Sequence, residues 1–170
     1  MKVELNKMFV DDETRRAVLD VLDGGRYVKG PQSKELESVF CKATGSKFAV
    51  SCSSGTDSLM LAFKALELRP KGEVLVPSHT FAATVNGFWH FGARPRFVDI
   101  DPRTYTMDIE DVKKKISKNT VAIAPVHLYG HPVDMDPILE LASDTSGIGT
   151  GIELSNRTGS PGTPLGMVNW

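Results

Sequence analysis

Residues 48–61 read FAVSCSSGTDSLML, which predicts a strand, a tight turn and a helix in succession. The apolar residues 48–50 are typical of a short strand, and residues 51–56 are mostly small hydroxyl residues with one glycine. The free N–H groups and the dipole at a helix N-terminus, together with the hydroxyls of Ser54 and Thr56, could hold one phosphate. The alternative interpretation is an ordinary helix N-cap after a glycine turn.

On either side of this stretch the sequence alternates between helical and strand patterns. We predict helices from Asp12 to the glycine pair at 24–25 and at about 32–44, 56–68, 81–91, 109–116 and 135–142, and further strands at 73–76, 96–99 and 121–125. Strands and helices that alternate at this spacing imply right-handed crossovers. The sequence therefore predicts an α/β fold with a mostly parallel sheet and helices on both faces.

Composition narrows the class of partner. The chain has 170 residues, of which 41% are hydrophobic, and this is enough for one domain with a real core. Its 20 basic and 21 acidic residues nearly cancel, so neither nucleic acid nor an anionic membrane is expected as a partner. Cys41 and Cys52 lack the spacing of a redox or zinc motif. With no secretion signal or bilayer-length apolar run in the sequence, we expect a cytoplasmic protein without a metal site.

Ligands of open parallel sheets bind outside the carboxyl ends of the strands. Unusual residues follow the predicted strands here, in the four loops 53–56, 77–81, 99–101 and 125–130. Convergence of these loops favours a ligand that carries phosphate. A Walker A motif and a GxGxxG after a strand are both absent from the sequence, which disfavours standard nucleotide and dinucleotide sites.

Each residue that is a candidate for function also has a structural explanation. His79 and His127 could be acid–base groups or hydrogen-bonded loop residues, and their spacing does not suggest a metal site. Phe81 could stack on a planar ring or anchor its helix in the core. Asp99 and Asp101 could form a carboxylate pair, but Asp before Pro is a common turn former.

The motifs together resemble the DegT/StrS family of pyridoxal-phosphate-dependent sugar aminotransferases. The resemblance covers about residues 24–142 and rests on the order and spacing of several motifs, namely GP at 30–31, SSGTDSL at 53–59, VPSHTFAAT at 76–84, GA at 92–93, FVDID at 97–101 and PVHLYG at 125–130. It implies that residues 1–142 are an incomplete fold-type I large domain. The implied reaction transfers an amino group, usually from glutamate, to a keto group of a nucleotide-linked sugar, in cell-wall, lipopolysaccharide or antibiotic sugar pathways.

The resemblance also assigns roles to individual residues. It implies that Ser54, Gly55 and Thr56 grip the phosphate of pyridoxal phosphate (PLP) and that Phe81 stacks on its pyridine ring. It places the loop that contains Tyr27 and Lys29, together with His79, near the nucleotide sugar. In this family that site is shared between two subunits, so a homodimer is expected.

The sequence departs from the family after Ala142. A strand that ends in Glu-Asp and a later Schiff-base lysine should follow, but Glu153 precedes Leu154 and no lysine occurs after Lys118. A PLP enzyme needs both groups. We therefore assign no catalytic residue, and we expect weak or no PLP binding and no activity from this chain alone. The alternatives are a non-catalytic phosphate or nucleotide-sugar binding module, and a fragment of a related sugar dehydratase.

Residues 143–170 form a compositionally distinct tail. Of these 28 residues 16 are Gly, Ser, Thr or Pro, which predicts irregular structure. A frameshift or early stop would explain the change, and a naturally divergent short homologue is the alternative. If the sheet lacks its remaining strands, we expect an unpaired edge and uncovered apolar residues at Ile138, Leu139 and Leu141, and hence self-association.

Overall fold

The computed structural model describes residues 9–144, and within them six helices surround three strands. The bounds of these elements are α1 Asp12–Gly24, α2 Pro31–Thr44, α3 Gly55–Ala65, β1 Glu73–Pro77, α4 Ala82–Trp89, β2 Arg94–Val98, α5 Ile109–Lys115, β3 Thr120–Ile123 and α6 Met135–Asp144. A short 3₁₀ turn lies at Leu128–Gly130. Helices α1 and α2 end where predicted, at Gly25 and Gly45, because both glycines take the left-handed conformation with φ of 66° and 71°.

The three strands form a parallel sheet in the order β2-β1-β3. Leu75 in the central strand is opposite Arg96 of β2 and Ile123 of β3. The chain therefore adds β2 on one side of β1 and then crosses to place β3 on the other. This confirms the predicted parallel sheet, with strand bounds shifted by one or two residues.

Helices cover both faces of the sheet, as the sequence predicted. Val74 and Val76 pack in one core with α3 and α4, where the rings of Phe63 and Phe88 meet edge to face at 5.1 Å. Leu75 points to the opposite core, which contains residues of α5 and α6. All three β1 residues are fully buried, as expected for a central parallel strand.

The expectation that apolar residues of α6 are uncovered is wrong. Ile138 is 1% exposed, and Leu139 and Leu141 are partly buried against the same core, because α6 packs on β3 and α5. The uncovered apolar side chains lie on other elements instead, namely Val18, Leu19 and Leu22 on α1 and Leu36 and Val39 on α2. No residue of α1 is buried.

The predicted strand at residues 48–50 does not form. Within residues 9–144 every strand pairing is among β1, β2 and β3, and this segment runs outside the sheet. Phe48 and Val50 are each 77% exposed. An apolar run becomes a strand only where a neighbouring strand accepts its hydrogen bonds, and no neighbour is placed beside this one.

Candidate functional site at the carboxyl edge of the sheet

Ser54 is the N-cap residue of α3. Its carbonyl accepts from the Ser58 N–H at 3.0 Å, and its Oγ accepts from the Asp57 N–H at 3.2 Å. Gly55 and Thr56 follow as the first two helical residues, so their N–H groups have no partner within the helix. The capping interpretation of Ser54 is confirmed, and phosphate binding at the two N–H groups stays a prediction.

The side chain of Asp57 closes this turn. Its Oδ2 accepts from the Ser54 hydroxyl at 2.9 Å and also from the hydroxyl of Ser53. The Ser53 hydrogen bond, followed by that of Ser54, lowers the pKa of Asp57 below its ordinary value. The sequence analysis missed Asp57, although an acidic residue three positions after a serine N-cap is a recognised capping signal.

A second carboxylate ties the turn to α2. Glu37 accepts from both the N–H and the hydroxyl of Ser51, at 2.9 and 2.8 Å. The Ser51 N–H is the main cause of the lowered pKa of Glu37, and the positive charge of Lys29 contributes to it. Glu37 thus supplies the acceptor that a neighbouring strand would otherwise offer to the Ser51 N–H.

Phe81 lies at the carboxyl end of β1, where it is the N-cap residue of α4. Its side chain is 67% exposed, whereas Ala83 and Phe88 of the same helix are buried. The expectation that Phe81 could anchor α4 in the core is therefore wrong. The other possibility, that the ring stacks on a planar ligand, stays a prediction.

His79 is the centre of an aromatic cluster at the same edge. The rings of Tyr105 and Tyr129 lie edge-on to its imidazole, with centroids at 6.3 and 6.0 Å. The three residues follow β1, β2 and β3 respectively, so these three loops do converge. Strands β2 and β3 lie on opposite sides of β1, so the strand order reverses at β1. Ligands of α/β sheets bind at such a switch point.

Sequence analysis did not single out the two tyrosines. Tyr105 and Tyr129 have positive φ of 60° and 55°, a conformation that is uncommon for residues other than glycine. Nothing in the local sequence reveals that backbone conformation. The strand order that brings both rings to His79 is a tertiary property.

Tyr27 and Lys29 lie in the loop between α1 and α2. The Tyr27 hydroxyl donates to the carbonyl of Leu22 at 2.8 Å, so the side chain folds back onto the end of α1. Lys29 has a φ of 49° and lies near enough to Glu37 for its charge to lower the pKa of that carboxyl. Lys29 therefore lies near Glu37 of α2, whereas His79 belongs to the tyrosine cluster.

The remaining candidates have structural roles. Asp101 pairs with Arg103 at 2.7 Å, and its backbone carbonyl accepts from Thr104 and Tyr105, so the turn interpretation is confirmed. Nδ1 of His127 accepts from the Val133 N–H at 2.8 Å, as expected for a hydrogen-bonded loop residue. In residues 9–144 no three His, Cys, Asp or Glu side chains are grouped to bind a metal.

The family model described as the DegT/DnrJ/EryC1/StrS aminotransferase family matches residues 9–148. The chain belongs to this family. The match begins earlier and ends later than the resemblance inferred from the motifs at 24–142. Every residue of the candidate site described above lies within it.

Named relatives agree with this membership. The chain is 44% identical over 131 residues to UDP-N-acetyl-3-dehydro-alpha-D-glucosamine 3-aminotransferase of Acidithiobacillus ferrooxidans, a match that covers 77% of this chain and 36% of that protein. Among solved structures, DesV of S. venezuelae with a ketimine intermediate has a TM-score of 0.75 and 41% identity, with coverage of 81% of this chain and 37% of DesV.

A second solved structure is a dehydratase. E. coli GDP-4-keto-6-deoxy-D-mannose-3-dehydratase with bound hydrated PLP has a TM-score of 0.80 and 32% identity, over 88% of this chain and 40% of the dehydratase. The chain thus spans between 36% and 40% of the length of these relatives. Their shared architecture confirms the predicted α/β fold of PLP-dependent enzymes, and PLP is the cofactor of the family enzymes.

Helices in residues 9–144 do not reach the length and hydropathy that a membrane span requires. The predicted irregular tail falls almost entirely outside the described residues. Helix α6 continues through Asp144, two residues beyond the predicted boundary at Ala142.

Proposed function

We propose that this chain is the N-terminal, phosphate-binding portion of a PLP-dependent aminotransferase. The substrate would be the keto group of a nucleotide-linked sugar, and glutamate the amino donor. The observation that carries the proposal is the N-terminus of α3, where two N–H groups without helical partners lie in the motif that matches the family. The printed activities of the relatives supply the reaction type and the substrate class.

Residues of this chain could bind two parts of PLP, its phosphate and one face of its pyridine ring. The N–H groups of Gly55 and Thr56 and the Thr56 hydroxyl would hold the phosphate, with Ser54 capping the helix beneath it. Phe81 has an exposed ring at the carboxyl end of β1 that would cover one face of the pyridine. When bound, PLP supplies an electron sink for the bonds of the amino-bearing carbon.

The proposal assigns no lysine of this chain to the Schiff base. No lysine follows Lys118 in the sequence, and Lys113 and Lys115 are paired with Glu110 and Asp111 at 2.7 Å. We therefore propose that these 170 residues bind at most the phosphate and ring of the cofactor and do not transaminate alone. A frameshift or early stop remains our hypothesis for residues 143–170, and a coding sequence with no Glu-Asp motif in either alternative frame would contradict it.

The substrate side of the site is proposed on the family resemblance. His79 would contact the sugar at the carboxyl edge, and Tyr27 and Lys29 would approach it from the loop after α1. We also propose a homodimer, which the exposed apolar side chains of α1 and α2 support. Sedimentation that shows a compact monomer at high concentration would count against dimerisation. A cytoplasmic location and a role in cell-wall or polysaccharide sugar synthesis complete the proposal.

The test is cofactor binding to the purified chain. We expect PLP to bind weakly at most and without a covalent lysine adduct, as judged by visible absorbance, borohydride reduction and mass analysis. Phe81→Ala should weaken binding about three- to tenfold, the usual size of one aromatic stacking contact. Phe48→Ala is the matched control. The Phe48 ring is similarly exposed, but it lies in the segment that runs outside the sheet. A specific lysine adduct would show that we have misjudged the catalytic competence of the chain.

A non-catalytic binding module is the second candidate function, and the missing lysine favours it. Binding of a nucleotide sugar with no requirement for PLP would support this alternative over the first. A fragment of a sugar dehydratase is also consistent with the E. coli neighbour. The coding sequence beyond Ala142 would separate the aminotransferase from the dehydratase, because the two need different residues at the Schiff-base position.

A further inference from the structure

Three helix-to-strand segments meet at the edge of the sheet where the strands begin, opposite the candidate site, namely residues 66–72, 90–93 and 116–119. The Arg94 N–H at the start of β2 donates to the Gly72 carbonyl at 2.8 Å, which joins the first two segments. Nη2 of Arg69 donates to the carbonyl of Lys118 at 3.2 Å, which adds the third. Because the three strands are parallel, these segments lie side by side at one edge.

Positive charge is concentrated at this edge. We define the basic edge as its four exposed cationic residues, namely Arg69, Lys71, Arg94 and Lys118. None of the four takes part in an ion pair within residues 9–144, whereas Arg96 of β2 is paired with Glu73 at 2.9 Å. The three segments contain one acidic residue, Glu67. The net charge of −1 for the whole chain, which disfavours an anionic membrane, therefore conceals a local excess of positive charge.

An exposed tryptophan lies at the same edge. Trp89 is the last residue of α4, and its carbonyl accepts from the Gly92 N–H at 2.9 Å in the turn that leads to β2. The Trp89 side chain is 64% exposed, although that of Phe88 is fully buried. An exposed tryptophan among lysine and arginine is typical of protein surfaces that contact the headgroup region of a bilayer.

The spacing of the charges favours a broad partner. They come from segments before three neighbouring strands, which together span about 10 Å in the sheet. Anionic headgroups present negative charge over a whole surface, whereas one extended acidic peptide presents it along a line. A lipid surface therefore suits this distribution of charge better than a peptide does.

We propose that the basic edge and Trp89 bind the anionic headgroups of a phospholipid bilayer. Each Lys or Arg near such a surface strengthens binding about fivefold, and the cytoplasmic leaflet carries anionic lipids. Four such residues give a weak, reversible attachment that salt screens. The candidate site lies at the opposite edge of the sheet and so faces away from the bilayer. This surface does not depend on the proposed reaction.

The experiment is sedimentation of the full chain with vesicles of phosphatidylcholine, alone or mixed with phosphatidylserine, at low and at high salt. We expect binding to the mixed vesicles at low salt, and loss of that binding at high salt. The double variant Lys71→Gln with Arg94→Gln should bind them about 25-fold more weakly. The matched control is Arg16→Gln with Lys42→Gln, which removes the same charge from exposed positions on α1 and α2.

Tryptophan fluorescence tests the contact of Trp89 with lipid. Trp170→Phe leaves Trp89 as the one tryptophan in the sequence. Its emission should shift to shorter wavelength when mixed vesicles are added, because the indole ring leaves water. Binding without this shift would contradict the part assigned to Trp89. Circular dichroism should show the same helix content for all variants.

Three results would overturn the proposal and leave the proposed function standing. The first is failure of the unmodified chain to bind mixed vesicles at low salt. The second is an equal loss of binding in both double variants, since net charge and not the basic edge would then explain the attraction. The third is tighter binding to soluble polyglutamate than to the vesicles, with unchanged Trp89 emission, which would indicate an acidic polypeptide as the partner.

Discussion

Among the glycines within residues 9–144, Gly72 has the least room for a side chain, and its replacement by alanine tests the packing of the sheet. Gly72 precedes β1, and a Cβ built on it would lie 2.4 and 2.7 Å from the two methyl carbons of Val121 and 2.9 Å from the Arg69 carbonyl oxygen. Carbon atoms pack at about 3.5–4.0 Å, so the overlap with Val121 exceeds about 1 Å. Either the backbone or β3 must move.

Neither side can move without a loss. Val121 is 5% exposed in the core of the sheet. The Gly72 N–H donates to the Arg69 carbonyl at 3.0 Å, and the Gly72 carbonyl accepts from Arg94 at 2.8 Å. Overpacking of a well-filled core costs about 1–3 kcal/mol, and we expect Gly72→Ala to reach the upper part of that range. For a chain of this size this lowers Tm by roughly 5–10 °C.

The assay is urea and thermal unfolding followed by circular dichroism. Gly24→Ala is the control, because nothing lies within 4 Å of its Cβ position in α1, and there the substitution should stabilise the helix by about 0.5–1 kcal/mol. Val121→Ala removes the two methyl groups, so the double variant should lose less stability than the sum of the single ones. A free energy of unfolding for Gly72→Ala within about 0.5 kcal/mol of the unmodified chain would refute the reasoning.

Three further predictions use the same unfolding measurements. Gly87→Ala should cost about 1–2 kcal/mol, because its Cβ would lie 3.0 Å from a ring carbon of Phe63 where α4 packs on α3; a gain would contradict this packing. Lys71→Gly should gain about 0.5–1 kcal/mol, because φ is 64° there, and Lys71→Ala should show no such gain. Arg103 holds the pKa of Asp101 at about 2, below its ordinary 3.8, so the stability that Asp101 contributes is present above pH 3.8 and is lost as the pH falls through 2. Asp101→Asn should therefore make stability fall less steeply over that window, and an unchanged slope would contradict the assignment.

The candidate site could be predicted only where its geometry is local. The turn before α3 is an example, since small hydroxyl residues and one glycine before an apolar helical face identify an N-cap without knowledge of any other element. Asp57 was within reach of the same reasoning, because its partners Ser53 and Ser54 are four and three residues away. For Phe81 the sequence did not decide between a buried and an exposed position, because an aromatic residue at the start of a helix suits either one.

The sequence by itself determined the ends of α1 and α2 and the alternation of strands and helices after residue 55, whereas α3 and α4 end three and two residues before their predicted ends. Gly25 and Gly45 end α1 and α2 because only glycine enters the left-handed region at low cost, and this holds in any tertiary context. The buried run of β1 likewise indicates a central parallel strand, since both of its faces must be apolar. These properties depend on residues that are neighbours along the chain.

Only the tertiary structure decided which strands pair and which loops meet. Residues 48–50 have the pattern of a strand but stay outside the sheet, because strand hydrogen bonds need a partner that local sequence does not specify. His79 meets Tyr105 and Tyr129 because β1 lies between β2 and β3. Contacts between residues far apart in sequence follow from strand order, and strand order is set by the packing of the whole domain.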